Sequence, residues 1–318
     1  MPAAAPAAAA VAALLAAQRS AAAALESGIV ADADPEALHD YRVALRRARS
    51  LLKHCIGLFE PATCEVLRRQ LAWIARATGA RRDLDVFIAA LDAEAAKFDA
   101  RQRVQPLHTL LLRRRNQAHG ALLRTLQSDR YAALGDAWKT FSLAAMTQSA
   151  GPQPILAEVA RSTVDELQRT VARTARRLGA GSRFERLHAL RKDCKELRYL
   201  LEAFRPLSPV RCGKLIAALR KMQDVLGAIC DLHVQRQMLA HYRLILRDPQ
   251  LRAVLLELDR RLAQRERRRR QAFPDRRDRF LRRRRRRQFE RLAAELLELA
   301  VRARSAEDAS STKTEAGA

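Results

Sequence analysis

The residues with the clearest chemical potential form one row of cations. Arg42, Arg46, Arg49 and Lys53 follow His39 at i+3, i+7, i+10 and i+14. On a helix of 3.6 residues per turn this spacing confines all five to an arc of roughly 80°. Guanidinium and ammonium groups in such a row, headed by an imidazole at the amino-terminal end, suit charge-assisted hydrogen bonds to an anion. Capture of an anionic ligand is the chemistry they would perform.

The row occurs twice. His188, Arg191, Lys195 and Arg198 repeat the spacing of His39, Arg42, Arg46 and Arg49 at a constant offset of 149 residues. A second block trails each copy. Leu71 to Val86, with Gly79, Asp83 and Leu84, matches Leu219 to Val234, with Gly227, Asp231 and Leu232, at an offset of 148. Two blocks repeated in the same order define an internal duplication. One basic stripe alone would suit a solvated helix face equally well, and the in-register repetition is what favours a ligand.

The pattern His-x-x-Arg-x-x-x-Arg/Lys-x-x-Arg, followed by Gly-x-x-x-Asp-Leu and repeated once, resembles the CHAD family, the conserved histidine α-helical domain. Arg81-Arg82-Asp83-Leu84-Asp85-Val86 and Lys221-Met222-Gln223-Asp224-Val225-Leu226-Gly227 are similar to the accompanying blocks. The resemblance spans about residue 6 to about residue 305. It implies an all-α fold of two pseudo-symmetric four-helix bundles around a basic central channel, and binding of inorganic polyphosphate. Carried onto this chain, it makes His39, Arg42, Arg46, Arg49, Lys53, Arg82, His188, Arg191, Lys195, Arg198 and Lys221 the polyphosphate-binding residues. It also implies attachment to polyphosphate granules in a bacterial cytoplasm.

The helices that must carry the row are legible. Leu38, Tyr41, Leu45, Leu52 and Ile56 form an apolar stripe beside the cations, so this helix can bury one side and turn the other to a groove. Asp34 is placed to cap it and Pro35 to open it. Before it, a helix is expected over about Ala7 to Glu26, closed at Gly28. After it come helices from Thr63 to Thr78, Asp83 to Gln102, Pro106 to Gln127 and Asp129 to Thr147. Gly151-Pro152-Gln153-Pro154 is the natural boundary, dividing a first half at 6–150 from a second at 151–305. In the second half, helices are expected over Ile155 to Leu178, from a Ser182–Glu185 capping box to Phe204, and over Pro209 to Leu226. Asp231 to Arg247, Pro249 to Gln271 and Asp275 to Arg304 follow. Residues 306–318 read as a polar disordered tail.

Composition narrows the partner class. Sixty Lys and Arg against 35 Asp and Glu give a formal charge of +25 on 318 residues, far more than solubility requires. Nucleic acid, an acidic membrane and polyphosphate are all polyanions of this kind. Two Trp and four Tyr, with no interleaving of basic and aromatic residues, argue against a single-strand stacking platform. Fourteen arginines between Arg265 and Arg287, six of them consecutive at Arg282 to Arg287, keep a nucleic-acid- or ribosome-associated reading open. A continuous helix would send six consecutive side chains all around its axis, so much of that run is expected in water.

Enzymatic signatures are missing. No Walker sequence, no Glu-x-Glu-x-Lys and no Ser/His/Asp set in context is present, and neither a metal nor a cofactor is called for. His54, His108 and His119 carry little information, and His233 and His241, eight apart on one expected helix, lack the carboxylate that would complete a metal set. The cysteines, five in number and without a C-x-x-C, suit buried roles in a reducing compartment. The Ala-rich start lacks the basic region of a signal peptide, and no other stretch has the length and apolarity of a spanning helix.

Overall fold

The computed structural model describes residues 3–147 and 153–315, and among them the chain is helical with no strand. The first half contains α1 (Ala7–Ala23), α2 (Glu26–Ala31), α3 (Pro35–His54), α4 (Pro61–Ala77), α5 (Gly79–Lys97), α6 (Arg101–Leu126) and α7 (Asp129–Thr147). The second contains α8 (Leu156–Arg176), α9 (Phe184–Ala203), α10 (Pro209–Ile245), α11 (Pro249–Leu281) and α12 (Arg283–Glu315). Gly151 and Pro152 of the expected boundary lie outside the described residues.

Three helices begin with an acid followed by proline. Asp34 accepts from the Glu36 amide at 2.8 Å, Glu60 from the Ala62 and Thr63 amides at 2.9 and 2.6 Å, and Asp248 from the Gln250 amide at 2.8 Å. The carboxylate satisfies amides that have no partner within the helix, and proline at the first helical position has no amide to satisfy.

Several boundaries differ from the sequence expectation. Gly28 lies inside α2 rather than closing α1. Glu60, not Thr63, caps α4. Ser182 does not cap α9: its hydroxyl accepts from the Gly179 amide at 2.9 Å, and Arg183 stands at the cap position. Residues 209–245 form one helix, because Gly227 continues the spiral. Its cost of about 1 kcal/mol relative to alanine is small beside the burial of Leu226, Ile229 and Leu232 around it. Pro274 likewise sits within α11, flanked by buried Phe273 and Phe280. The break falls at Arg282, whose φ −55 and ψ 148 leave the helical region. Beyond residue 305, the helix α12 continues to Glu315 where a tail is expected.

The apolar cores do not divide along the two halves. One cluster joins α1, α3, α4 and α7 to α8, α9, the first part of α10 and α12. A second is shared: Phe87 and Leu91 of α5 and Leu107 and Leu111 of α6 pack with Leu239 and Tyr242 of α10 and Leu255 and Leu258 of α11. The amino-terminal segment crosses to the second half, where the Ala7 amide donates to Pro154 O at 2.9 Å and the Leu156 amide to Ala5 O at 2.9 Å. Residues 7–31 are long and apolar enough by composition to cross a membrane. Here Ala7, Val11, Ala12 and Leu15 are buried, and α1 packs against α3 and α7. All five cysteines are buried and unpaired.

Candidate functional site

The sequence places each cationic stripe beside an apolar one, and the fold uses both. Leu38, Tyr41, Leu45 and Leu52 of α3 enter the core, as do Leu187, Leu190, Cys194, Leu197 and Leu201 of α9. With those sides buried and α3 packed against α9, the carboxy-terminal part of the first row meets Lys195 of the second in a cleft of about 240 Å³. Arg46, Arg49 and Lys53 line it from α3, Lys192 and Lys195 from α9, and Arg68 from α4. Glu196 is the carboxylate on this lining.

Electrostatics register how closely the cations are held. Burial pulls the Lys195 ammonium down to about 8, and Arg191 on its own helix and Arg46 across the cleft push the same way. Burial also lowers Arg42 and Arg49, with Arg46 adding to the effect on Arg42 and Arg76 to that on Arg49. The Nε atoms of Arg46, Arg191 and Arg198 are buried without a hydrogen-bond partner. Guanidinium groups in this state gain from any anion that brings acceptor oxygens.

Part of each row positions the rest. Nη1 of Arg42 donates to Ala75 O and to Thr78 Oγ1, both at 2.7 Å, tying α3 to the end of α4. Nη2 of Arg191 lies 3.5 Å from the Asp231 carboxylate. Asp83 and Asp231 lie within α5 and α10 and cap no helix; each faces the first arginine of a stripe, Asp83 through its charge on Arg42. Arg198 pairs with Glu202 at 3.4 Å and covers the Tyr199 ring. Arg47 of α3 reaches the same Glu202 at 3.0 Å, which bridges the two stripe helices. Lys53 and His54 donate to Glu196 at 2.7 and 2.9 Å.

The two histidines differ. Arg82 donates from Nη2 to His39 Nδ1 at 3.0 Å, and burial, followed by the charge of Arg82, lowers the imidazole below its ordinary value. With Arg82 donating to Nδ1, the neutral form of this ring carries its proton on Nε2. Cys230 stands at the position corresponding to Arg82 in the second copy. There His188 tilts against Phe184 with centroids 5.7 Å apart, its Nδ1 is buried without a partner, and burial lowers it, then Lys192 and Arg191.

Of the eleven expected ligands, Arg46, Arg49, Lys53 and Lys195 line the cleft, whereas His39, Arg42, Arg82, His188, Arg191, Arg198 and Lys221 lie off its lining. Arg82 is engaged with His39 and with Pro35 O at 3.3 Å. Lys221 faces a different groove, among α10, α11 and α12, because the repeat register carries it to another side of α10. Conversely, Lys192, Tyr199 and Glu196 join the cleft at i+4, i+11 and i+8 from His188, a helical spacing present in the sequence. Arg68 carries no such local signal, since only the packing of α4 brings it in.

Outside the cleft, His233 stacks on Phe184 at 3.8 Å and lies 3.6 Å from buried Glu266, which also holds Arg236 and Arg270. Among the described residues no group of three His, Cys, Asp or Glu is arranged to hold a metal.

A family model, the CHAD domain, matches residues 13–240. The crystal structure of the CHAD domain from the plant Ricinus communis superposes with a TM-score of 0.72 at 25% identity, over 84% of this chain and 88% of that one. PptA from Streptomyces chartreusis shares the fold with a TM-score of 0.68 at 18% identity, over 86% of this chain and 99% of its own. Nothing among curated proteins matches.

Proposed function

The chain belongs to the CHAD domain family, and on that premise we propose that it binds inorganic polyphosphate, without catalysing its breakdown, in the cleft between α3 and α9. The family is associated with polyphosphate binding in general. The observation that carries the reading here is that Arg46, Arg49 and Lys53 of α3 share one lining with Lys195 of α9, close enough for Arg46 to add to the depression of the Lys195 ammonium. Cations held together against their own repulsion, on rigid helices, are a preorganised site for a ligand bearing charge on every unit.

Polyphosphate satisfies this geometry better than nucleic acid does. It is narrow and has no bases, so cations from α3, α4 and α9 can reach one chain together. Guanidinium groups supply paired hydrogen bonds to phosphate oxygens, ammonium groups supply point charge, and counterion release adds entropy. Tyr199, the one aromatic on the lining, is covered by Arg198 rather than presented as a stacking face. Docking of the protein on polyphosphate granules would follow from such binding.

A competition titration at physiological salt tests the reading. Labelled long-chain polyphosphate bound to the protein is displaced by unlabelled polyphosphate, or by DNA or RNA of equal charge. Resistance to nucleic acid, abolished in the R46E/K195E variant, is the expected result. Equal displacement by all three, unchanged in that variant, would overturn it. Release of orthophosphate by the protein would overturn the non-catalytic part.

A further inference from the structure

A second concentration of cations lies elsewhere, and the break at Arg282 creates it. Had α11 continued through Arg282–Arg287, the six side chains would have surrounded one axis. Instead Arg282 leaves the helical region and α12 starts in a new direction. Three members of the run, Arg282, Arg284 and Arg285, thereby come to border α10. Arg276 and Arg279 come from α11, Arg282 from the joint, and Arg284 and Arg285 from α12; together they close a groove of about 530 Å³. Its floor is Ala217 and Ala218 of α10, with Lys214 and Lys221 alongside.

Seven cations thus share one groove whose lining contains no carboxylate and no aromatic ring. Asp278 lies off the lining, bonded to Arg277 at 2.7 Å, although the charge of Arg282 also reaches it. Arg285 is the most constrained member. It donates to Gln288 and lies within 3.4 Å of Lys214 O, while its Nε is buried without a partner. No residue of this lining belongs to the lining of the α3–α9 cleft. Its five arginines also fall beyond residue 240, where the family match ends.

We infer that this groove is a separate binding site for condensed phosphate, either a free short oligophosphate or a segment of a longer chain. Like charges at this density, with no carboxylate on the lining, repel one another and favour a ligand that brings several negative charges in a small volume. Condensed phosphate carries charge on every unit and needs no space for bases. Alanines on the floor let it approach the α10 backbone, and no side chain offers the stacking surface that single-stranded nucleic acid uses. This inference does not depend on the α3–α9 cleft being a polyphosphate site.

Calorimetric titration with sodium tripolyphosphate at low salt tests it, using the wild type, R279A/R282A/R284A, which alters three exposed side chains, and R46A/K195A. The expected result is about two equivalents bound by the wild type and about one by each variant. Loss confined to R279A/R282A/R284A would support the groove while refuting the cleft. Unchanged binding in that variant would overturn the groove. On unaltered protein, tripolyphosphate should shield Arg276, Arg279, Arg282 and Arg284 from phenylglyoxal, as read by mass spectrometry. Stronger shielding by long-chain polyphosphate than by tripolyphosphate would identify a chain segment as the preferred occupant. Absence of shielding by either, or equal shielding by DNA at the same phosphate concentration, would overturn the inference, the latter in favour of a nucleic-acid surface.

Discussion

Arg191 lies across Gly227. A Cβ on that glycine would stand 3.6 Å from the arginine Nε and 3.7 Å from Nη2, and one on Gly79 would stand 3.8 Å from Nη1 of Arg42. The first arginine of each stripe thus rests over a glycine at the matching position of the trailing block. Alanine fits at these distances. Gly227→Ala is expected to leave polyphosphate affinity unchanged and to add about 1 kcal/mol of stability, the usual gain in a helix interior. Gly227→Leu should displace Arg191 and weaken polyphosphate binding while helix content is retained. Titration and circular dichroism of both variants check this, and wild-type affinity in Gly227→Leu would show that Arg191 does not position the cleft.

Lys195 should make polyphosphate binding pH-dependent. Its folded pKa of about 8 lies below the ordinary 10.5, so between these values the unfolded chain holds more protons and this group's contribution to stability rises with pH. Anion in the cleft reverses the effect by favouring the charged ammonium. Binding should therefore take up a proton near about pH 8.5, and affinity should fall as pH climbs toward the ordinary value. Calorimetry in two buffers of different ionisation heat measures the uptake, which Lys195→Met should remove.

Glu196 is placed to compete with an anion for the cations of the cleft. Its carboxylate accepts from Lys53 and His54 and lines the cleft. In Glu196→Gln a cation is released to the anion, so polyphosphate should bind more tightly, with a salt dependence steeper by about one charge. Weaker binding would instead mean that Glu196 holds Lys53 in position.

Arg81 supports the fold rather than the site. Only 2% exposed, it pairs with Asp32 at 2.6 Å and with Asp85, and Arg115 closes the network at 2.7 Å to Asp32 and 3.1 Å to Asp85. Removing one partner strands buried charge. Arg81→Ala should cost about 3–5 kcal/mol in chemical denaturation. Polyphosphate affinity of the molecules that remain folded should be unaltered.

The stripes themselves were legible in the sequence. Helical spacing determines which side chains share a face, and from His39 to Lys53 and His188 to Arg198 that arithmetic needs no neighbour. The apolar companions of those rows, the cap at Asp34 and the all-α class follow from equally local chemistry. What the tertiary structure decided is which rows meet. Arg68 enters the cleft only because α4 packs beside α3, and Arg82 is drawn to His39. The shared core of α5, α6, α10 and α11 depends on long-range burial that no local pattern encodes. Arg282–Arg287 shows the division most plainly. In sequence it is a run that a continuous helix would scatter into water. The break at Arg282 gathers part of it into a groove, because Phe280 and Phe289, ring centroids 6.5 Å apart, are both buried on either side of the joint. Burying both aromatics favours the turn over a straight helix.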